Sequence, residues 1–169
     1  MEKFNHIELN NEVTKRGDNG FFRLEKDQEA IAEFLREVDY KTVKFSSEIK
    51  RLRYLVEENY YYNIFDKYIE DEIVECLELA ANYKFEFKSY MAASKFYKDY
   101  ALKTNDKKQY LENYNQHVFI VAMYLADGNV SLAKELMISM LEQRVQPATP
   151  TFLNSGRSRR GELVSCFLL

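Results

Sequence analysis

A thiol beside a hydroxyl, Cys166 after Ser165, follows a stretch rich in hydroxyls and amides that reads Thr149-Pro150-Thr151-Phe152-Leu153-Asn154-Ser155-Gly156. Hydroxyls and unshared backbone N–H groups hold phosphate without carrying charge themselves. A turn with Thr149, Thr151, Asn154 and Ser155, the nearby Ser165 and the close approach that Gly156 allows would form an anion cradle. A thiol next to it could do redox chemistry. The plainer reading of a cysteine in a buried strand is an inert small hydrophobe. Redox work requires Cys166 to be reachable as well as positioned.

Both prolines, two of the five glycines and one of the two cysteines fall in this tail. It reads as a polar turn leading into an apolar strand that carries the thiol. A strand needs partners for its N–H and C=O groups, and an apolar one needs two covered faces. The chain is therefore expected to be the front part of a larger catalytic unit.

Other reactive residue types are less promising. Arg157, Arg159 and Arg160 form a short basic cluster in a glycine-flanked turn, usually a solvated feature. His6 and His117 have no carboxylate or cysteine at ligand spacing, and no metal is expected in this chain. Cys76 falls in a predicted helix and reads as structural. A net charge of −3 over 169 residues argues against nucleic-acid binding. Two widely separated cysteines and an amino terminus with no apolar signal region point to a reducing cytoplasm. No apolar run nears the roughly 20 residues that span a bilayer, so no membrane role is expected.

The elements that must position the tail read as helices. Residues 1–20 are polar with turn punctuation and are expected to be a loosely ordered arm. Asp27 is the expected N-cap of a helix bearing Ile31, Phe34, Leu35 and Val38 on one face. Ser46 or Ser47 starts a second, the aromatic run from Tyr60 to Phe65 makes a short helix or turn, and residues 69–81 make a third long helix. Ser89 caps a helix leading toward Tyr100. A helical hairpin is expected over residues 108–126 and 130–144, broken by Asp127-Gly128-Asn129 and ended by Pro147. Thirteen tyrosines and twelve phenylalanines with no tryptophan imply an aromatic core. The fold expected is mainly α: residues 21–145 a helical domain, and residues 146–169 a polar turn plus one strand. A non-catalytic helical interaction module is the alternative, with the tail as a docking strand.

The stretch from Ala148 to Gly156, followed by Arg160-Gly161-Glu162-Leu163-Val164-Ser165-Cys166-Phe167-Leu168-Leu169, resembles the start of the catalytic barrel in the large, or alpha, subunit of class I ribonucleotide reductase. The run Phe96-Tyr97-Lys98-Asp99-Tyr100-Ala101-Leu102-Lys103-Thr104-Asn105-Asp106, with Tyr90-Met91 upstream, is similar to the class Ib branch. The resemblance implies a helical amino-terminal domain ending in the first strand of a truncated ten-stranded α/β barrel. It implies that the turn within residues 146–169 is substrate-binding, that Thr149 and Ser165 bind the diphosphate of a ribonucleoside diphosphate, and that Cys166 is one of two redox-active thiols.

The same resemblance implies that the thiyl-forming cysteine, the second redox cysteine, the catalytic glutamate and asparagine and a shuttle cysteine pair lie in a carboxyl-terminal remainder. Partners expected on this basis are that remainder, a radical-generating small subunit with a dimanganese or diiron-tyrosyl radical centre, and a thioredoxin- or glutaredoxin-like reductant. The chain itself needs no cofactor, and nucleotide effectors act on the complete subunit. Residues 5–20 fall where longer large subunits carry an ATP-binding cone, and are too short for a complete one.

Overall fold

Eight α-helices form among the described residues: α1 (His6–Val13), α2 (Glu25–Tyr40), α3 (Glu48–Glu57), α4 (Glu70–Asn82), α5 (Tyr90–Lys95), α6 (Tyr114–Ala126), α7 (Val130–Leu141) and α8 (Thr149–Asn154). A 3₁₀ turn covers Ile64–Asp66, and a π-helical turn, Phe96–Tyr100, continues α5. The computed structural model describes residues 4–159 and 161–166. Arg160 of the basic cluster and Phe167, Leu168 and Leu169 of the expected strand lie outside them. Pairing among the described residues is limited to isolated bridges. The mainly helical fold expected from the periodicity is therefore present, while residues 161–166 do not form the expected barrel strand.

The chain divides into two compact units, Met1–Val43 with Glu86–Glu112, and Lys44–Phe85 with Asn113–Leu169. In the first, α1 packs on α2 and α2 on α5. The expected loose arm thus contains a helix. Its polar sequence conceals this because α1 buries no residue fully; it is held through His6, whose ring meets Phe34 edge-on. His6 Nε2 also lies 2.6 Å from Glu37 Oε2, and Nδ1 lies 2.8 Å from the Tyr90 hydroxyl. Glu37 additionally accepts from Lys41.

Asp27 does not cap α2, which begins at Glu25; its carboxylate instead accepts from the backbone N–H of Tyr90 at the start of α5. Phe34, Phe87, Phe96, Tyr97 and Tyr110 cluster around the π-helical turn. Burial, with the Glu112 carboxylate and Tyr110 nearby, pushes the Tyr97 phenol far above its ordinary value.

The second unit is built around α6. Residues 118–123 are all fully buried, because a helix that is apolar all round must be covered on every side. Helices α4 and α7 both pack against it. Polar positions on α6 are used as fasteners. Asn115 Nδ2 donates to the carbonyls of Ala80 and Tyr83 at the end of α4, both at 2.8 Å, and satisfies groups that a helix end leaves open. Gln116 donates to both carboxylate oxygens of Glu48 in α3.

Ser47, Ser89, Asn113 and Asn129 each cap a helix by accepting a backbone N–H. The hairpin break is where the sequence places it: Asp127 and Gly128 take left-handed backbone at φ 43° and 95°. Helix α6 begins at Tyr114, later than the expected residue 108. Lys107 adopts φ 58° and Thr104 bonds both Asp106 and the N–H of Gln109, turning the chain into a tight loop instead. Helix α7 ends at Leu141, where Gln143 at φ 58° directs the N–H of Arg144 back to Ser139, a left-handed stop that needs no glycine.

Candidate functional site

The tail is positioned from α6 outward. His117, fully buried on α6, has Nε2 2.8 Å from the carbonyl of Phe152 and Nδ1 3.2 Å from Arg157 Nη2. A guanidinium only donates, so Nδ1 accepts and the ring proton sits on Nε2, donated to Phe152. One neutral histidine thus joins α8 to the loop behind it. The Phe152 ring stands edge-on to the same imidazole, centroids 4.5 Å apart. The Arg157 guanidinium lies over the Tyr61 ring, a face that attracts cations.

The loop after α8 is pinned a second time by backbone. Tyr62 N–H donates to the Gly156 carbonyl and Ser158 N–H to the Tyr60 carbonyl, at 2.9 and 3.0 Å. Gly156 has φ +78°, and a Cβ there would stand 2.5 Å from Ile120 Cγ1 and 3.1 Å from the Ile120 carbonyl. The close approach that the sequence suggested is real, but the surface approached is α6.

The stretch expected to be a turn is the helix α8, with Pro150 in its first turn. Proline is favoured there because its fixed φ suits a helix and its missing N–H would be unpaired anyway. Of the side chains expected to face an anion, two are otherwise employed. Thr151 Oγ1 donates to the Leu163 carbonyl at 2.7 Å, and Asn154 Nδ2 donates to the Glu162 carbonyl at 2.9 Å. Ser155 is completely buried. Thr149 opens α8 with an exposed side chain.

Ser165 and Cys166 are both exposed, and the Ser165 hydroxyl lies 3.8 Å from the Cys166 sulfur. Ser165 and Cys166 are neighbours in the sequence, and the fold leaves both on the surface. Thr149 belongs to the helix whose next turn holds their segment. Cys76 is fully buried in α4, and burial pushes its thiol up, which suits a structural cysteine. Sequence reasoning did not anticipate the roles of Thr151, Asn154, His117 and Arg157. The available signal was a histidine inside an apolar run, a position where a ring must find partners from elsewhere in the fold. A separate cavity of about 280 Å³, lined by Tyr62, Ile64, Lys67, Tyr68, Met123, Tyr124 and Asp127, includes none of the tail residues.

No helix among the described residues is long and apolar enough to cross a membrane. In comparison with known proteins, residues 6–85 match the family described as "Ribonucleotide reductase N-terminal" and residues 86–160 that described as "Ribonucleotide reductase, all-alpha domain". The chain is 49% identical over 167 residues to the ribonucleoside-diphosphate reductase NrdEB subunit alpha of Bacillus subtilis, covering 98% of this chain and 15% of that protein. It is 49% identical to the ribonucleoside-diphosphate reductase subunit alpha of the same organism, covering 96% of the chain and 23% of that protein. The corresponding subunit of Mycoplasma pneumoniae is 43% identical over 97% of the chain and 22% of its own length. The chain thus spans less than a quarter of the length of these curated relatives. With both of its helical regions matched end to end, it belongs to the ribonucleotide reductase large-subunit family and corresponds to the amino-terminal part of that subunit.

Proposed function

We propose that the chain is the amino-terminal part of a class Ib ribonucleoside-diphosphate reductase large subunit, converting ribonucleoside diphosphates to their deoxy forms for DNA synthesis. In this reading Thr149 and Ser165 hold the substrate diphosphate with hydroxyl and backbone donors. Cys166 is one of two thiols that together give up two electrons and two protons, becoming a disulfide as the ribose 2′-hydroxyl leaves as water. The second thiol, the hydrogen-abstracting cysteine and the acid–base groups come from the portion of the subunit that the match to these relatives leaves uncovered. A thioredoxin- or glutaredoxin-like protein restores the thiols, nucleotide effectors tune the complete subunit, and the setting is the reducing cytoplasm. The radical arises in a separate small subunit with a dimanganese or diiron-tyrosyl centre.

The observation that supports this most is the exposure of Cys166 beside Ser165 on a segment tied to α8. A thiol that exchanges with another disulfide must be reachable by it, and Cys76, the other thiol of the chain, is not. The test is Cys166→Ser in the assembled reductase, with the natural reductant supplied. Deoxynucleotide formation should fall to background; undiminished turnover would end the proposal.

A further inference from the structure

In the functional reading above, the reacting thiol lies outside any regular element, on residues 161–166, so something must fix its place. We propose that Thr151 and Asn154 are positioning residues for Cys166, acting through the main chain that carries it. The two lie three apart on α8, hence on one helix face. Each makes one bond to successive carbonyls of the thiol segment, Asn154 to Glu162 and Thr151 to Leu163. Asn154 also lies against Gly161, where a Cβ would stand 3.4 Å from its amide nitrogen. The segment is thus gripped at two consecutive residues, and Ser165 and Cys166 follow after Val164 alone.

The grip is only as firm as α8, and α8 is itself anchored. Phe152, between the two positioning residues, has its carbonyl bonded to the buried His117 and its ring against the same imidazole. Two backbone bonds and the Gly156 contact fix the chain just beyond. Placement therefore passes from the most buried helix of the unit, through a neutral histidine, to α8, and from α8 by two side-chain bonds to the main chain that carries the thiol. Threonine and asparagine suit this because each offers a donor on a short side chain with few rotamers to freeze. Catalytic groups need a supporting layer of this kind, since small misplacement of a reacting atom costs rate steeply.

The proposal rests on the reading of Cys166 as a redox thiol, and the experiment separates the two. A nitroxide attached at Cys166 of the chain, with Cys76 too buried to label, reports segment mobility by its electron paramagnetic resonance line width. Thr151→Val and Asn154→Ala should each narrow the spectrum, the double variant most, while Thr151→Ser keeps the broad line. In the assembled reductase each single variant should lower kcat about five- to tenfold for one lost bond of ordinary strength, with a smaller change in KM. Thr151→Ser should restore kcat. Unchanged line widths in the double variant would overturn the proposal. So would mobile labels with unaltered kcat, in which case loss of turnover in Cys166→Ser would leave the functional reading standing. Full activity in Cys166→Ser would remove that reading and this inference with it.

Discussion

The two histidines of the chain tie down two different segments, and they do so by opposite physical means. In the first unit His6 fastens α1 to α2 through the Glu37 carboxylate and to α5 through the Tyr90 hydroxyl, at a partly open site. In the second unit His117 fastens α8 through a carbonyl and accepts from a guanidinium, with no part of its ring exposed. The first fastening is a hydrogen bond to a carboxylate near solvent, of a kind that contributes about 0–1 kcal/mol and weakens as acid protonates the carboxylate. The second uses a neutral ring, so burial carries no charge penalty for the histidine, and removing it takes one hydrogen bond from each of two buried groups. A segment that must hold a reacting thiol in place is better served by the second arrangement.

The largest test of the buried fastening is Gly156→Ala. The added methyl meets Ile120 at a backbone angle that L-residues avoid, and overpacking and left-handed strain together should cost about 2–5 kcal/mol. Thermal unfolding would measure it; a change below half a kcal/mol would mean that the approach to α6 is not tight.

His117→Leu comes next. It keeps the volume apolar but strips the Phe152 carbonyl of its donor and Arg157 of an acceptor, and should cost about 1–3 kcal/mol. Its effect should persist at high salt, which urea unfolding with and without added salt would check.

The smallest effect sharpens the contrast. Partial burial pushes the Glu37 carboxyl up, but the bonds from Lys41 and His6 outweigh this and hold it below its ordinary value. A carboxyl whose folded pKa is depressed contributes its full stability above the unfolded value of about 4.3, and loses it as the pH falls through the lower folded value. Acid titration of α1 docking should therefore show a loss below about pH 4 that Glu37→Gln abolishes. At neutral pH the same variant should cost less than about 1 kcal/mol. A variant that kept the acid-side loss would show that another group carries it.

The helices were legible where local chemistry settles them. Ser47, Ser89 and Asn129 cap helices as their side chains suggest, and Asp127-Gly128 ends α6 in the left-handed backbone that this pair favours. Local chemistry misled where a residue had a distant partner. Asp27 looked like a cap but serves the start of α5, and polar α1 looked disordered because polar side chains such as His6 and Glu12, and no fully buried apolar residue, attach it. The hydroxyl-rich tail read as a turn because threonine and serine favour turns. Proline in the first turn and a tether to a buried histidine make it a helix instead.

By itself the sequence determined the helical class, most caps and breaks, and the residue types of the thiol segment, because these follow from interactions within a few positions of one another. The resemblance carried by Ser165, Cys166 and the Thr149-Pro150-Thr151 run pointed to the family that the comparisons then showed. Only the tertiary structure decided which polar side chains of α8 remain open to solvent and which grip the chain. It also decided that one contiguous sequence builds two units by crossing from one to the other at Lys44, Glu86 and Asn113. Hydrogen bonds between Thr151 and Leu163, or His117 and Phe152, join groups brought together by the burial of α6. Burial depends on what surrounds a residue in space, and residues adjacent in sequence supply only a small part of those surroundings.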